Sequence, residues 1–459
     1  MNKQNKRLNR RDVLKLAVLA GAGTLAGSTG AEANEIKSSK KDISKKQPLH
    51  IAIIGGGMAG TALAYRLSRA ITYPVITLYE PQERSCWYQP GMTMVGTGLW
   101  PMEELAYERD KYLPMHVSLN RNAVTSIDAN TRTVTDSSGK SAAYDYVVTA
   151  SGLQLDFPAI DGLSGAISSL QHTDKLESWM NDPAIGSIYY LHGAVRLSKQ
   201  LDGVVQKVQK IPKGKRLNVY FTQPKIIVKS PAAAKSALMS LLDKLKKAGM
   251  RDRVEIVFFA EDGRLSANDA YDTYYKKLLA KENVLLKKDK LVSVNAAEHK
   301  TVFSGAGELP YDFIHVTPPM KTGTYLSKSG LLNDNGLVDV DAKTLEHKVY
   351  PKIFAIGDAA GCGALKSASA ISSQVKTVTD TIRALDEGEK PKAKYDGYGS
   401  DTLLCPGKKT ALVEAWNDKG NPLSPLVYLN PMECHVLYWY SSLYLSRSYM
   451  MDGVLRGWA

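Results

Sequence analysis

Cysteine is scarce in this chain, with four among 459 residues. That excludes a scaffold stapled by disulfides, so Cys86, Cys362, Cys405 and Cys434 each have to be explained as a single site. Long apolar runs are missing too. No interior stretch reaches about 18 uninterrupted apolar residues, so no interior segment is expected to span a bilayer. Glycine and proline stop at 36 and 20 residues, and with 44% hydrophobic and 23% charged residues the chain is neither fibrous nor disordered. Its length allows two or three globular domains. The formal net charge of +13 comes without a nucleic-acid-binding motif, so it suits an anionic membrane surface or an acidic protein rather than DNA or RNA. No metal site is expected.

Residues 1–33 read as an address rather than as part of the fold. Arg10-Arg11 stands before the weakly apolar stretch Leu16 to Gly27, and Ala31-Glu32-Ala33 has the A-x-A form of a cleavage site. The other reading, a basic amphipathic helix, is weakened by Gly21, Gly23, Gly27, Thr24 and Thr29. Loss of this leader would remove six basic and two acidic residues and lower the net charge to +9. Twin-arginine export carries folded proteins, often already loaded with a cofactor, so a periplasmic or exported location is expected. A polar, lysine-rich linker follows over 34–48.

The pattern then changes. His50 to Ile54 is a buried-strand run leading into Gly55-Gly56-Gly57-Met58-Ala59-Gly60, and Ala62, Leu63, Tyr65, Arg66 and Leu67 continue at helical spacing. This is G-x-G-x-x-G between strand and helix. Gly55 permits the tight turn, Gly57 lets backbone N–H groups approach a pyrophosphate, and Gly60 lets helix and strand pack closely. A second strand, Val75 to Tyr79, ends in Glu80, placed to accept ribose hydroxyls. Much later, Lys352 to Ile356 reads as a strand ending in Gly357-Asp358, followed by a helix over Ser367 to Leu385 with Ile371, Val375, Val378, Ile382 and Leu385 on one face. An early glycine motif paired with a late Gly-Asp defines the flavoproteins of two dinucleotide folds, in which such an Asp holds the ribityl end of FAD.

An internal repeat supports two such folds. Ala123 to Val134 followed by Tyr144 to Gly152 is echoed by Leu291 to Phe303 followed by Tyr311 to Pro318. The fold class is α/β, with an FAD domain split over 49–153 and 320–386, a second Rossmann-like, NAD-like domain over 154–319, and a C-terminal helical, aromatic tail over 387–459. In the second domain a strand over Leu217 to Thr222 and a helix over Pro231 to Ala248 are joined by Gln223 to Ser230, a connection with no glycine. Such a backbone cannot close on a pyrophosphate, so NAD(P)H is not the expected electron donor. Ser230-Pro231 reads as an N-cap and N1 pair.

The order of these motifs resembles the sulfide:quinone oxidoreductase and flavocytochrome c sulfide dehydrogenase family. The resemblance rests on the glycine motif, Tyr88-Gln89-Pro90-Gly91, Gly152-Leu153-Gln154-Leu155-Asp156, His315-Val316-Thr317-Pro318-Pro319-Met320, Asp339-Val340-Asp341, Ile356-Gly357-Asp358 and Tyr395-Asp396-Gly397-Tyr398. It implies an FAD-dependent enzyme taking electrons from a reduced sulfur compound and delivering them to quinone or to a c-type cytochrome. No C-x-x-C-H occurs here, so any haem would belong to a partner. The sequence departs from the family at the redox cysteine pair, where Ser230 and Ala359-Ala360 stand. That departure keeps a second reading open, a non-catalytic flavin-binding paralogue serving as a binding or assembly subunit. Cys362 is then a candidate lone thiol near the flavin, or a packing residue. For Cys86 the resemblance implies a thioether to the flavin, against a small buried thiol. Lys366 matches a family lysine near the flavin pyrimidine ring, where a cation would stabilise the anionic reduced flavin. The expected cofactor-binding set is Gly55, Gly57, Gly60, Glu80, Cys86, Gly152 and Asp358, with Cys362 and Lys366 as catalytic candidates. Cys405 and Cys434 fall outside the two folds, where a disulfide between them is possible. The stretch 436–459 is rich in Tyr, Trp, Leu and Met and carries few charges, which suits a membrane surface or a partner protein.

Overall fold

The computed structural model describes residues 47–82, 89–105, 107–165, 177–225, 228–363, 365–415, 429–430 and 432–458. The leader and Cys86 lie outside the described residues. Strand β1 (Leu49–Ile54) runs into helix α1 (Met58–Ala70) and then into β2 (Pro74–Tyr79), parallel to β1 with Ile51 opposite Ile76. Ile51, Ala52 and Ile53 are fully buried, as a parallel strand covered on both faces requires. Each such Ile contributes about 1.5–3 kcal/mol on leaving water. After β3 (Val117–Asn120) come three short antiparallel strands, β4 (Val124–Asp128), β5 (Thr133–Asp136) and β6 (Ser141–Ala143). Strand β7 (Tyr146–Thr149) then returns to the other side of β1.

The second half repeats this plan. Strand β8 (Ile185–Gly186), helix α2 (Leu191–Lys210), β9 (Leu217–Gln223), helix α3 (Ala232–Lys247), β10 (Val254–Ala260), helix α4 (Asp269–Lys281) and β11 (Leu285–Lys288) lead to a second antiparallel meander. Its strands are β12 (Leu291–Asn295), β13 (Lys300–Phe303) and β14 (Gly307–Pro310), and β15 (Phe313–His315) follows. The second sheet has the order β11-β10-β9-β15-β8. The chain then comes back to the first sheet with β16 (Ile353–Ala355), which pairs with β7 and completes the order β16-β7-β1-β2-β3. Helix α5 (Ala368–Asp386) packs on α1. A hairpin, β17 (Gly399–Cys405) and β18 (Lys409–Ala415), helix α6 (Val436–Tyr444) and the short helical segments Ser446–Ser448 and Tyr449–Val454 close the described chain.

The fold is thus the doubled α/β arrangement expected from the repeat, with one correction at the second glycine-free turn. Ser230 is not the N-cap of α3. Pro231 holds that position without a side-chain cap, and Ser230, at φ +46°, donates from Oγ to Oδ1 of Asp401 at 2.7 Å. The other carboxylate oxygen of Asp401 accepts the Ala232 N–H at 2.9 Å. The two carboxyl oxygens of Asp401, delivered by β17, satisfy the Ser230 hydroxyl and the Ala232 N–H together, which a serine cap could not do; burial raises the Asp401 carboxyl, against a lowering by these bonds. Cys405 and Cys434 form a disulfide that ties the end of β17 to the segment ahead of α6. Among the described residues no helix is long and apolar enough to cross a membrane.

Candidate functional site

The site is built at the carboxyl ends of β1, β7 and β16, where parallel sheets leave a crevice. Gly55 turns out of β1 at φ +105°, and a Cβ there would lie 2.6 Å from the Ala150 carbonyl oxygen. At Gly60 a Cβ would lie 1.8 Å from the Gly55 carbonyl oxygen, so only glycine allows α1 to start this close to the strand. Gly57 is different. A Cβ on it would meet nothing within 4 Å, because it faces the cleft. The three glycines therefore divide into two that close the turn and one that leaves room in front of it.

Glu80 follows β2 and is buried beside this turn. Its Oε2 accepts the Gly56 N–H at 2.8 Å and its Oε1 the Gln82 N–H at 3.0 Å. Arg109, also buried, braces the same corner from Nε to the Gly56 carbonyl at 2.7 Å, with Nη2 3.9 Å from Glu80. Two carboxylate oxygens offer about four acceptor sites, so Glu80 keeps capacity for a ribose hydroxyl. Across the cleft, Gly152 follows β7 at φ +63°, and Gly357 at φ +68° turns β16 into Asp358. These residues line one half-open cleft.

Two lysines enter the cleft beside Asp358. Lys366, just before α5, donates from Nζ to the Ala360 carbonyl, which holds the ammonium in place. Burial lowers its pKa, against the raising pull of Cys362 and Asp358. Lys229 was not legible in the sequence as a site residue. Its burial drives its pKa down to about 8, opposed by Asp358. Burial raises the Asp358 carboxyl in turn, while Lys229 and then Lys366 pull it down. The only sequence signal for Lys229 was a lysine placed directly after the apolar Ile226-Ile227-Val228 in a connection without glycine.

Cys362 is buried and is not among the side chains lining this cleft. Its sulfur receives Nε2 of Gln374 at 3.7 Å, and Oε1 of the same Gln374 accepts the Gly357 N–H at 2.7 Å. One amide therefore links the thiol to the turn that carries Asp358. Gln374 was missed because a glutamine inside a helix gives no sequence signal of its own.

A second cavity, of about 1140 Å³, lies between the β17–β18 hairpin and the C-terminal helices. It shares Ala368 with the cleft, and Pro90 on its wall follows the cleft residue Gln89. The two spaces thus adjoin at the start of α5.

The donor set fits FAD. Backbone N–H groups of an open glycine turn suit the pyrophosphate, Glu80 and Asp358 suit hydroxyls at the two ends, and Lys229 and Lys366 suit the electron-rich edge of a reduced flavin. Residues 49–188 match the pyridine nucleotide-disulphide oxidoreductase family. The mitochondrial sulfide:quinone oxidoreductase of Mus musculus is 28% identical over 376 residues, which cover 80% of this chain and 78% of the mouse protein. Among solved structures, a chain of the Tetrahymena thermophila mitochondrial ATP synthase superposes with a TM-score of 0.73 at 18% identity, covering 92% of this chain and 98% of that one. The sulfide:quinone oxidoreductase of Aquifex aeolicus superposes with a TM-score of 0.69 at 19% identity, over 89% of this chain and 92% of its own. The fold and the site thus define an FAD-dependent oxidoreductase built on two dinucleotide folds. Within that class the chain is similar to the sulfide:quinone oxidoreductases, at 28% identity to the mouse protein and 26% to that of Schizosaccharomyces pombe.

Proposed function

We propose that the protein takes electrons from a reduced sulfur compound onto FAD in the cleft and passes them to a quinone in the C-terminal cavity. The observation that carries this reading is the meeting of the two spaces at Ala368, which gives an acceptor a seat beside the cofactor cleft. A concave, half-open space between a hairpin and helices suits a ring-shaped acceptor better than the surface of a c-type cytochrome. Val436, Tyr440 and Tyr444 stand exposed at i, i+4 and i+8 on α6, while Tyr438, Trp439 and Ser442 face inward. That outward stripe supports contact of residues 436–459 with a membrane surface, where a quinone would be supplied. In the same reading residues 1–33 export the folded protein, Cys86 tethers the flavin and Cys362 is the thiol that serves the sulfur chemistry.

NAD(P)H is not the donor in this reading. The α3 N-terminus, where a second pyrophosphate would sit, already receives the Asp401 carboxylate. Lys235 fills the space beneath it, donating to Gln223 at 2.7 Å and to the Pro231 carbonyl at 2.8 Å. The competing reading, a flavin-fold subunit without catalysis, is favoured by Ser230, whose hydroxyl serves a structural tie to Asp401. Anaerobic addition of sulfide to the holoprotein separates the two. Bleaching of the flavin by sulfide, its loss in Cys362→Ser with FAD retained, and no bleaching by NADH or NADPH are the expected results. A flavin that stays oxidised in sulfide while fully bound would remove sulfide as the donor and favour the non-catalytic reading.

A further inference from the structure

Two buried acids line the C-terminal cavity, Asp401, which is tied to Ser230 and the start of α3, and Glu414. Glu414, on β18, is 2% exposed and lines the cavity. Its Oε1 accepts the Tyr398 hydroxyl at 3.1 Å, and its backbone N–H donates to the Tyr271 hydroxyl at 2.7 Å. Its Oε2 has no hydrogen-bond partner among the described residues. The titratable groups around it are Tyr398 and Asp401 from the strand side, Tyr438 and Tyr449 from the C-terminal helices, and Tyr271 from α4. Among the described residues no lysine, arginine or histidine lines the cavity. A buried carboxylate without a cation is costly, whereas a protonated carboxyl has a hydrogen to donate.

We propose that Glu414 is the proton donor to the electron acceptor, a two-electron, two-proton carrier of the quinone class bound in this cavity. The inference rests on the reading above that the acceptor is a quinone. Reduced FAD bound in the cleft would supply the two electrons and the first of the two protons that a quinone needs, leaving the second proton to Glu414. The O–H bond of the Glu414 carboxyl breaks and an O–H bond forms on a quinone carbonyl oxygen, which completes the quinol. Water then returns a proton to the carboxylate. Burial pushes the carboxyl up to about 7, against a lowering by the Tyr398 hydrogen bond, so the acid form is present at neutral pH.

The test uses holoprotein with its flavin reduced by dithionite, mixed anaerobically with decylubiquinone. Wild-type reoxidation should be fast in the acid range and fall as pH rises through about 7. Glu414→Gln should be slower by about 100-fold at about pH 6, with the pH step gone, and Glu414→Asp should recover part of the rate. The infrared spectrum of the wild type at that pH should show a protonated-carboxyl band that Glu414→Gln lacks, a reading that needs no turnover. An unchanged rate, a slower rate that keeps the same pH step, or an infrared spectrum without that band would overturn the proposal. If decylubiquinone fails to reoxidise even the wild-type flavin, the quinone reading itself falls and takes this proposal with it, an outcome visible without any variant.

Discussion

Adding one methyl group at each of two glycines separates the closing of the turn from the holding of the ligand. In Gly60→Ala the new Cβ would sit 1.8 Å from the Gly55 carbonyl oxygen, about half a normal van der Waals contact distance. The neighbour is backbone and cannot swing aside, so α1 must move off β1, which over-packing measurements place at about 1–3 kcal/mol, occasionally more. For domains of this size that is a fall in Tm of roughly 2–4 °C per kcal/mol. In Gly57→Ala the methyl meets nothing within 4 Å, and the residue stands at φ −70° and ψ −166°, a backbone any residue adopts. The apoprotein should therefore keep its Tm, or gain the about 0.4–1 kcal/mol that Gly→Ala brings at a compatible position. FAD affinity should fall in this variant alone without a loss of fold. A methyl in the path of the pyrophosphate, at the same over-packing cost of about 1–3 kcal/mol, weakens binding by about 5- to 150-fold. The assay is a thermal melt of each apoprotein, made in a Cys86→Ser background so that flavin binds without a covalent bond, together with fluorescence titration of FAD into it. If Gly57→Ala binds FAD as the wild type does, the turn does not approach the pyrophosphate. If Gly60→Ala keeps its Tm, the closeness of α1 to β1 is not what requires glycine.

The pH dependence of stability should carry the mark of Lys235. Burial brings its pKa down to about 7 from the ordinary 10.5, so between those values the unfolded chain holds more protons and stability from this group rises with pH. Comparing chemical denaturation of wild type and Lys235→Met from about pH 7 to 9 should show a steeper rise in the wild type than in the variant, which keeps only the contribution of Lys229, and equal slopes would refute the assignment. If Cys86 carries the flavin, acid precipitation should leave a yellow pellet containing a Cys86 peptide heavier by the mass of FAD. A colourless pellet with all flavin in the supernatant would leave Cys86 as a small thiol of its loop.

What was legible in the sequence is what depends on neighbours along the chain. The glycine turn, the acid closing β2 and the Gly357-Asp358 turn announce themselves because each is a backbone constraint written in consecutive residues, and the meanders are visible because the same succession occurs twice. What stayed hidden depends on residues far apart. Asp401 caps a helix that begins at Ala232, across 169 residues of chain, and that capture displaced the Ser-Pro cap that local preference favours. Lys229 reaches the cleft from the second half of the molecule, and Arg109 reaches the Gly56 carbonyl across 53 residues. Gln374 joins Cys362 to Gly357 from inside α5. None of these side chains has a residue type or spacing that sets it apart, since lysine, arginine and glutamine on helices and loops are mostly solvated. Their roles come from burial, which makes a polar group costly unless it finds a partner. The same force sets the charge balance of the cleft. Asp358 is drawn towards ionisation by Lys229 and Lys366, and each lysine is held charged by Asp358 against its own burial. Removing Lys229 would therefore shift the balance at Asp358 as well as the charge facing the flavin, so the three act as one electrostatic unit although they come from two separate stretches of sequence.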